Sequence, residues 1–152
     1  MPRKCSTKPK RYVIIIVLIK TSKQHKFLQF MDIEKIREYA LSLPYVTENV
    51  QWGNDLVFKV GEKMFLVINL SETDLNKVSF KCLPEKFAEL IEQSFIIPAP
   101  YLARYHWITL QKNCSLDKNI VLELINTAYQ TIYNKLPKKT KEQLKSEFVA
   151  TK

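Results

Sequence analysis

The residues of this chain that are best suited to chemistry are basic and aromatic side chains on predicted strands. When the two central strands are paired so that their apolar residues coincide, the outward face carries Lys59, Phe65, Lys77 and Lys81. Such lysines can hold phosphate groups by charge, and an aromatic ring can stack on a base. The alternative is a face covered by helices, because outward strand positions are often lysine and Phe65 and Val67 are apolar. The sequence leaves both interpretations open.

A catalytic centre is difficult to assemble from the remaining residues. Of the two histidines, His106 has no partner at a readable spacing, so we interpret it as a surface or structural residue. Cys82 ends an apolar strand face, which favours a place in the core over a role as nucleophile. The acidic residues of the first helix alternate with basic ones, as on an ordinary solvated face. We therefore expect no enzymatic activity, no metal and no cofactor.

The net charge of +9 is concentrated at the two ends of the chain. Residues 1–30 hold eight basic residues and no acidic residue, whereas residues 31–136 hold 11 basic and 13 acidic residues. Residues 137–152 hold five basic and two acidic residues. A basic chain usually suggests a nucleic-acid partner, but the charge of the central segment gives no broad electrostatic footprint.

The first 30 residues are expected to lie outside the folded domain. Residues 12–19, YVIIIVLI, form an apolar run between basic flanks that is too short to span a membrane, since a spanning helix needs about 20 apolar residues. A disordered extension upstream of a natural start at Met31, a cleaved or anchoring segment, and an added strand are the three possibilities. Asp32 as helix N-cap, with Met31 and Ile36 at staple positions, favours the first.

The length and the cysteines limit the remaining classes. A chain of 152 residues fits one domain, which we place at residues 31–137, followed by a basic tail at 138–152 that is either irregular or a short last helix. Three widely spaced cysteines indicate a reducing compartment, hence the cytoplasm. With two glycines in the chain, no glycine-rich phosphate loop is expected.

The pattern of elements predicts an α+β domain in which helices flank an antiparallel sheet. Helices are expected at residues 33–43, from Pro84, and from Ser115 or Asp117 to Leu136. Strands are expected at residues 56–60, 64–70, 77–82 and 105–110, and residues 98–101 are expected to be extended.

The hairpin between the first two predicted strands fixes which side chains face inward. A three-residue connection, Gly61-Glu62-Lys63, pairs Val60 with Met64 and aligns one continuous apolar face. We prefer it to a two-residue connection, which mixes the faces. Trp52, just before this hairpin, is expected in the core rather than at a contact surface.

An ordered set of short motifs resembles the MmcQ/YjbR family of small bacterial proteins over about residues 31–140. The motifs are Gln51-Trp52-Gly53, residues 58–65 (FKVGEKMF), Lys81-Cys82 with Pro84-Glu85, Pro98-Ala99, His106-Trp107, Tyr129, and residues 136–139 (LPKK). The resemblance implies a CyaY-like (frataxin-like) α+β domain whose members carry the label of DNA-binding proteins with a double-wing motif. Pro100 stands where the family usually has a tyrosine, and Glu62 where it has a glycine.

The resemblance implies DNA as the partner, and a protein partner is the alternative. We expect no membrane partner, because the apolar run at 12–19 is too short to span a bilayer. The residues that the resemblance and the basic pattern single out as nucleic-acid contacts are Lys59, Lys63, Lys81, Arg104, His106, Trp107, Lys138 and Lys139. Among them Trp107 is suited to stacking, although packing is favoured for it.

Overall fold

A six-stranded antiparallel sheet with helices packed on one face makes up the described part of the chain. The computed structural model describes residues 32–71 and 77–151. The helices are α1 (Ile33–Ser42), α2 (Pro84–Leu90), α3 (Lys118–Lys135) and α4 (Lys138–Ala150). The strands are β1 (Val46–Gln51), β2 (Asp55–Val60), β3 (Lys63–Asn69), β4 (Val78–Lys81), β5 (Ile96–Pro98) and β6 (Trp107–Leu110), in the spatial order β1-β2-β3-β4-β6-β5. The predicted α+β class is confirmed.

Helices α1 and α3 begin where the sequence predicts, because each has an acidic N-cap. The Asp32 carboxylate accepts a hydrogen bond from the Lys35 amide at 3.2 Å and opens α1. The Asp117 carboxylate accepts one from the Asn119 amide at 2.8 Å and opens α3, which decides between the two predicted caps. Residues 138–150 form a helix, so the tail takes the second of its two predicted forms.

Side chains on the sheet alternate between a buried inner face and an open face. Strands β2, β3, β4 and β6 contribute the inner residues Leu56, Phe58, Leu66, Ile68, Val78, Phe80, Ile108 and Leu110. Helices α1 and α3 cover this face with Ile36, Ala40, Val121 and Ile125, among others. The main core therefore lies on one side of the sheet. The other side, which we call the open face, has no helix packed on its centre, although Val57, Trp107 and Thr109 are buried there.

The β2–β3 hairpin differs from the predicted three-residue connection. Its loop is the two residues Gly61 and Glu62, both with positive φ (55° and 65°), and Val60 pairs with Lys63 instead of Met64. A β-bulge between Phe58 and Lys59 then restores the register, so the predicted pairs of Phe58 with Leu66 and Leu56 with Ile68 are confirmed.

The bulge also moves Phe65 to the inner face, so its predicted outward position is wrong. Phe65 is fully buried, and its ring meets the ring of Tyr129 edge-on with 5.6 Å between centroids. Tyr129 stacks in turn on Tyr133 at 5.7 Å and donates a hydrogen bond to the Pro44 carbonyl at 3.0 Å. This aromatic cluster joins α3 to the sheet and to the end of α1.

The Tyr129 phenol should make the free energy of unfolding fall with pH in the alkaline range. Burial, and then the neighbouring Tyr133 and Tyr45, raises its pKa from 10.0 to about 12. Since the folded pKa is raised, this stabilisation is complete below pH 10 and is lost as the pH rises through 12. In urea unfolding, Tyr129→Phe should cost about 1 kcal/mol at neutral pH for the lost hydrogen bond.

Measuring the free energy of unfolding of the wild type and of Tyr129→Phe across alkaline pH separates the contribution of this phenol from that of other groups that titrate in the same range. Between pH 10 and 12 the wild type should lose more of its free energy of unfolding than Tyr129→Phe does. An equal loss in both proteins would mean that the Tyr129 phenol has its ordinary pKa.

The remaining differences concern short or distant segments. Strands β1 and β5 were not predicted, and Ala103–Tyr105 forms a 3-10 turn where the last strand was expected to begin. Within residues 32–71 and 77–151, no helix is long and apolar enough to cross a membrane. The apolar run at 12–19 and the Met31 staple position lie outside the described residues.

Candidate functional site

The β2–β3 hairpin marks the end of the sheet at which most of the predicted contact residues lie. On the open face, Lys59 pairs with Met64 just before the hairpin. Lys81, at the end of β4, pairs with Trp107 at the start of β6. Since β3 lies between β2 and β4, the bases of the Lys59 and Lys81 side chains are about 10 Å apart across the sheet.

The start of α4 packs against the same hairpin on the helix side. A Cβ added to Gly61 would lie 2.7 Å from Leu136 Cδ1 and 3.1 Å from Thr140 Cγ2. Lys63 follows this turn and is exposed, as are Lys138 and Lys139 in the first turn of α4. The hairpin contact therefore brings together lysines that are 75 residues or more apart in the chain.

We call this end of the sheet, with its basic side chains, the basic end. Its members are Lys59, Lys63, Lys81, Arg104, Lys135, Lys138, Lys139 and Lys141. Lys135 and Lys141 were not predicted, although residues 135–141 contain four lysines and no acidic residue, which was the available signal. Glu62 at the hairpin tip is the nearest acidic residue in sequence to Lys63.

Two of these lysines are tied to backbone carbonyls. Lys81 Nζ donates to the Tyr105 carbonyl at 2.7 Å, and Lys141 Nζ donates to the Asn134 carbonyl at 2.9 Å. Burial, then the positive charge of Lys135, lowers the pKa of Lys81. Lys81 and Lys135 therefore lie close enough at this end of the sheet to repel each other.

The 104–107 segment places its predicted contact residues in different environments. Arg104 is exposed, with its guanidinium 4.8 Å from the centre of the Tyr105 ring. His106 is partly buried against Phe87, with ring centroids 5.5 Å apart. Trp107 is 4% exposed, in agreement with the packing role that the sequence favoured for it. Among Arg104, His106 and Trp107, only Arg104 presents an exposed side chain at the basic end.

The cysteines in the described part of the chain are unsuited to nucleophilic chemistry. Cys82 is buried in the core as predicted, and burial raises the pKa of its thiol to about 12. Cys114 is also a buried free thiol whose pKa burial raises. No group of three or more histidine, cysteine, aspartate or glutamate side chains that could hold a metal ion occurs within residues 32–71 and 77–151.

The open face carries a second feature that the sequence did not indicate. A cavity of about 580 Å³ lies over β3, β4 and β6, and Lys77 is among its lining residues. Trp52, at the rim of this cavity, is 69% exposed, so its predicted place in the core is wrong. Trp52 lies in the loop between β1 and β2, outside the sheet, and this position explains why its side chain is exposed.

Comparison with known proteins agrees with this architecture. A family model described as YjbR matches residues 41–131. The structure of the Deinococcus radiodurans protein DR2400, which has a DUF419 domain, is similar with a TM-score of 0.65 and 25% identity, over 74% of this chain and 86% of that one. A protein from Pseudomonas syringae shares the fold with a TM-score of 0.52 and 21% identity, over 64% of this chain and 96% of that one. Among curated proteins there is no match.

Proposed function

This chain belongs to the YjbR family, and we propose that it is a non-enzymatic DNA-binding module that contacts phosphates with its basic end. The observation that carries the proposal is the convergence of eight basic side chains from five separate segments on one end of the sheet. Phosphate contacts by lysine and arginine supply most of the affinity of proteins for DNA.

The arrangement of charge supports the proposal more than the net charge does. Among the described residues, Lys63, Arg104, Lys135, Lys138 and Lys139 are exposed, and no ion pair between these side chains and an acidic group is seen. By contrast Lys35 pairs with Asp32, and Lys86 pairs with Glu89. The cations of the basic end are therefore available to the phosphates of a partner.

The proposal includes no catalytic step, and it places the protein in the cytoplasm. The proposal of a non-enzymatic role is supported by the burial of the free thiols Cys82 and Cys114 and by the packing of His106 against Phe87, with no proton-transfer partner for His106 among residues 32–71 and 77–151. The alternative is a protein-interaction module without affinity for nucleic acid, which the following experiment separates from DNA binding.

Neutralising lysines of the basic end should weaken the salt dependence of DNA binding. The affinity for duplex DNA is measured over a range of salt concentrations for two proteins, the full chain and its variant Lys63→Gln/Lys138→Gln/Lys139→Gln. The slope of log K against log salt should fall in magnitude by about 2.7, since each lost phosphate contact contributes about 0.9.

A matched variant controls for the loss of three charges. Lys35→Gln/Lys112→Gln/Lys118→Gln removes as much charge at the opposite end of the sheet, where α1 and α3 begin and β6 ends, and should leave the slope unchanged. Equal effects of the two variants would reduce the binding to bulk charge. No binding at low salt, together with a stable dimer or a specific protein partner, would favour the alternative.

A further inference from the structure

The cavity on the open face combines an apolar floor with a few polar groups at its edge. Met64, Val67 and Ile97 come from the strands, and residues 99–102 form one wall. A volume of about 580 Å³ is within the range of about 300–1,000 Å³ of small-molecule sites. The cavity, which is open to solvent at its rim, can therefore accommodate a group of the size of an aromatic heterocycle and its immediate substituents.

Two aromatic rings at the rim are exposed, and both residues have a positive backbone φ. Trp52 has φ 48° and is 69% exposed, and Tyr101 has φ 65° and is 98% exposed. A positive φ is disfavoured for bulky residues, and exposure leaves the apolar area of both rings in water. Such costs concentrate at functional sites, and two rings presented in this way around one cavity indicate a ligand with a flat, stackable face.

The Asp55 carboxylate in the cavity is a hydrogen-bond acceptor, so a ligand that pairs with it must carry hydrogen-bond donors. Asn69 Nδ2 donates to Asp55 Oδ1 at 2.7 Å, and Asn69 Oδ1 accepts from the Ser71 amide at 2.9 Å. The Asp55 carboxylate is thereby fixed in place while Oδ2 has no protein partner among the described residues. A carboxylate accepts hydrogen bonds only, so it pairs best with a ligand edge that carries adjacent N–H groups.

We propose that this cavity binds one unpaired nucleobase, preferably guanine, which stacks on Trp52 and donates its ring N–H and amino group to Asp55. Guanine alone among the DNA bases presents these two donors side by side on its pairing edge. Proteins that take up an extruded or single-stranded base use the same combination of stacking and edge hydrogen bonds. The inference rests on the proposed DNA-binding function, since the base is assigned to a strand held by the basic end.

The position of the cavity relative to the basic end fits one continuous strand. Val67 in the cavity floor pairs with Val57, and Lys59 follows two residues later on the same face, roughly 7 Å along the strand. A nucleotide with its base in the cavity would thus direct its phosphate toward Lys59. The open face would then read one base, and the lysines would bind its backbone.

Three single-stranded pentamers of equal charge test this inference on the full chain. Each has thymidine at four positions and guanosine, thymidine or an abasic site at the centre, and affinity is measured by anisotropy of an end label. We expect the guanosine pentamer to bind on the order of tenfold more tightly than the abasic one, because stacking on an aromatic side chain contributes this much per base. It should also quench the emission of Trp52, since Trp107, the other tryptophan, is buried.

Variants of the cavity residues test whether the cavity causes the difference in affinity between the pentamers. Trp52→Ala should reduce the affinity for the guanosine pentamer to that for the abasic one, Trp52→Phe should retain most of the difference, and Asp55→Asn should remove the preference for guanosine over thymidine. Thermal melts check that the variants are folded. Because Trp52 is exposed, its replacement should change the melting temperature little. Equal affinities of guanosine and abasic pentamers, or an unchanged preference in Trp52→Ala, would overturn the inference.

Uncharged guanosine separates this inference from the proposed function. Saturable quenching of Trp52 by guanosine that Asp55→Asn weakens supports the cavity even if DNA binding shows no dependence on the basic end. Salt-dependent binding of all three pentamers with equal affinity would leave the proposed function standing and would overturn the base-binding cavity.

Discussion

Replacing Phe65 by alanine should lower the free energy of unfolding by about 3–5 kcal/mol, as is usual for a fully buried phenylalanine. Its ring fills the space between β3 and α3 and contacts Tyr129 edge-on, so the truncation leaves a cavity under the longest described helix. Because domains of this size are stable by only about 5–15 kcal/mol, this loss is a large fraction of the total stability. Urea unfolding followed by circular dichroism measures the difference.

The adjacent residue provides the control for the Phe65 variant. Met64 is half-buried on the opposite face, beside the open cavity. Met64→Ala should therefore cost about 1–2 kcal/mol, in proportion to the smaller area that it removes from water. A larger loss for Met64→Ala than for Phe65→Ala would mean that Phe65 faces outward and that the bulge is misplaced.

Phe65 also shows where prediction from the sequence fails in a hairpin. Strict alternation assigns Met64 and Leu66 to one face and Phe65 to the other, and it makes a two-residue loop look inconsistent. A bulge removes the inconsistency by adding one residue to a strand, so that Phe65 and Leu66 both face inward. Nothing in the residue types marks this position, because β3 is apolar on both faces.

Elements with strong local signals were predicted well, and elements defined by distant contacts were not. Helix α3 follows from its apolar spacing, its cap and Pro137. Strand β1 was missed because it points Glu48 to the inner side, where Arg37 of α1 pairs with it: Arg37 Nε donates to Glu48 Oε2 at 2.8 Å. Such a glutamate breaks the apolar alternation that identifies a strand, and its partner is 11 residues away.

The candidate sites follow the same rule. Five of the seven lysines of the basic end are predicted from the sequence. Lys59, Lys63 and Lys81 follow from the hairpin and strand pattern, and Lys138 and Lys139 follow from their motif and their place after the last predicted helix. The exposure of Trp52 was not predicted, because a tryptophan is usually buried. The three-residue loop that exposes it, residues 52–54, exists only because β1 pairs with β2, and the residue types of β1 do not indicate this pairing.

The charge of the described domain is better understood from its distribution than from its sum. Residues 31–151 hold 15 acidic and 15 basic residues, yet the fold gathers lysines from the hairpin, β4, α3 and α4 at one end. A domain without net charge can therefore carry a local positive field, which is what a phosphate backbone meets. This reasoning leads to a test of how much affinity belongs to the domain and how much to residues 1–30.

Removing residues 1–31 should lower the affinity for duplex DNA by orders of magnitude at low salt without abolishing binding. These residues carry eight positive charges and no negative charge, so the salt slope should fall in magnitude by up to about 7 if each contacts a phosphate. The shortened chain keeps the whole basic end and the whole described core. Filter binding at salt concentrations from about 20 to 200 mM covers the range in which such slopes are measured.

The slope that remains after this removal decides whether the domain itself binds DNA. We expect it to be clearly negative and to fall by about a further 2.7 when Lys63→Gln/Lys138→Gln/Lys139→Gln is introduced into the shortened chain. The preference for the guanosine pentamer should persist unchanged, because Trp52 and Asp55 lie outside the removed segment. A shortened chain that melts like the full chain but shows no salt-dependent binding would contradict the proposed role of the basic end, since all the affinity would then come from the charge of residues 1–31.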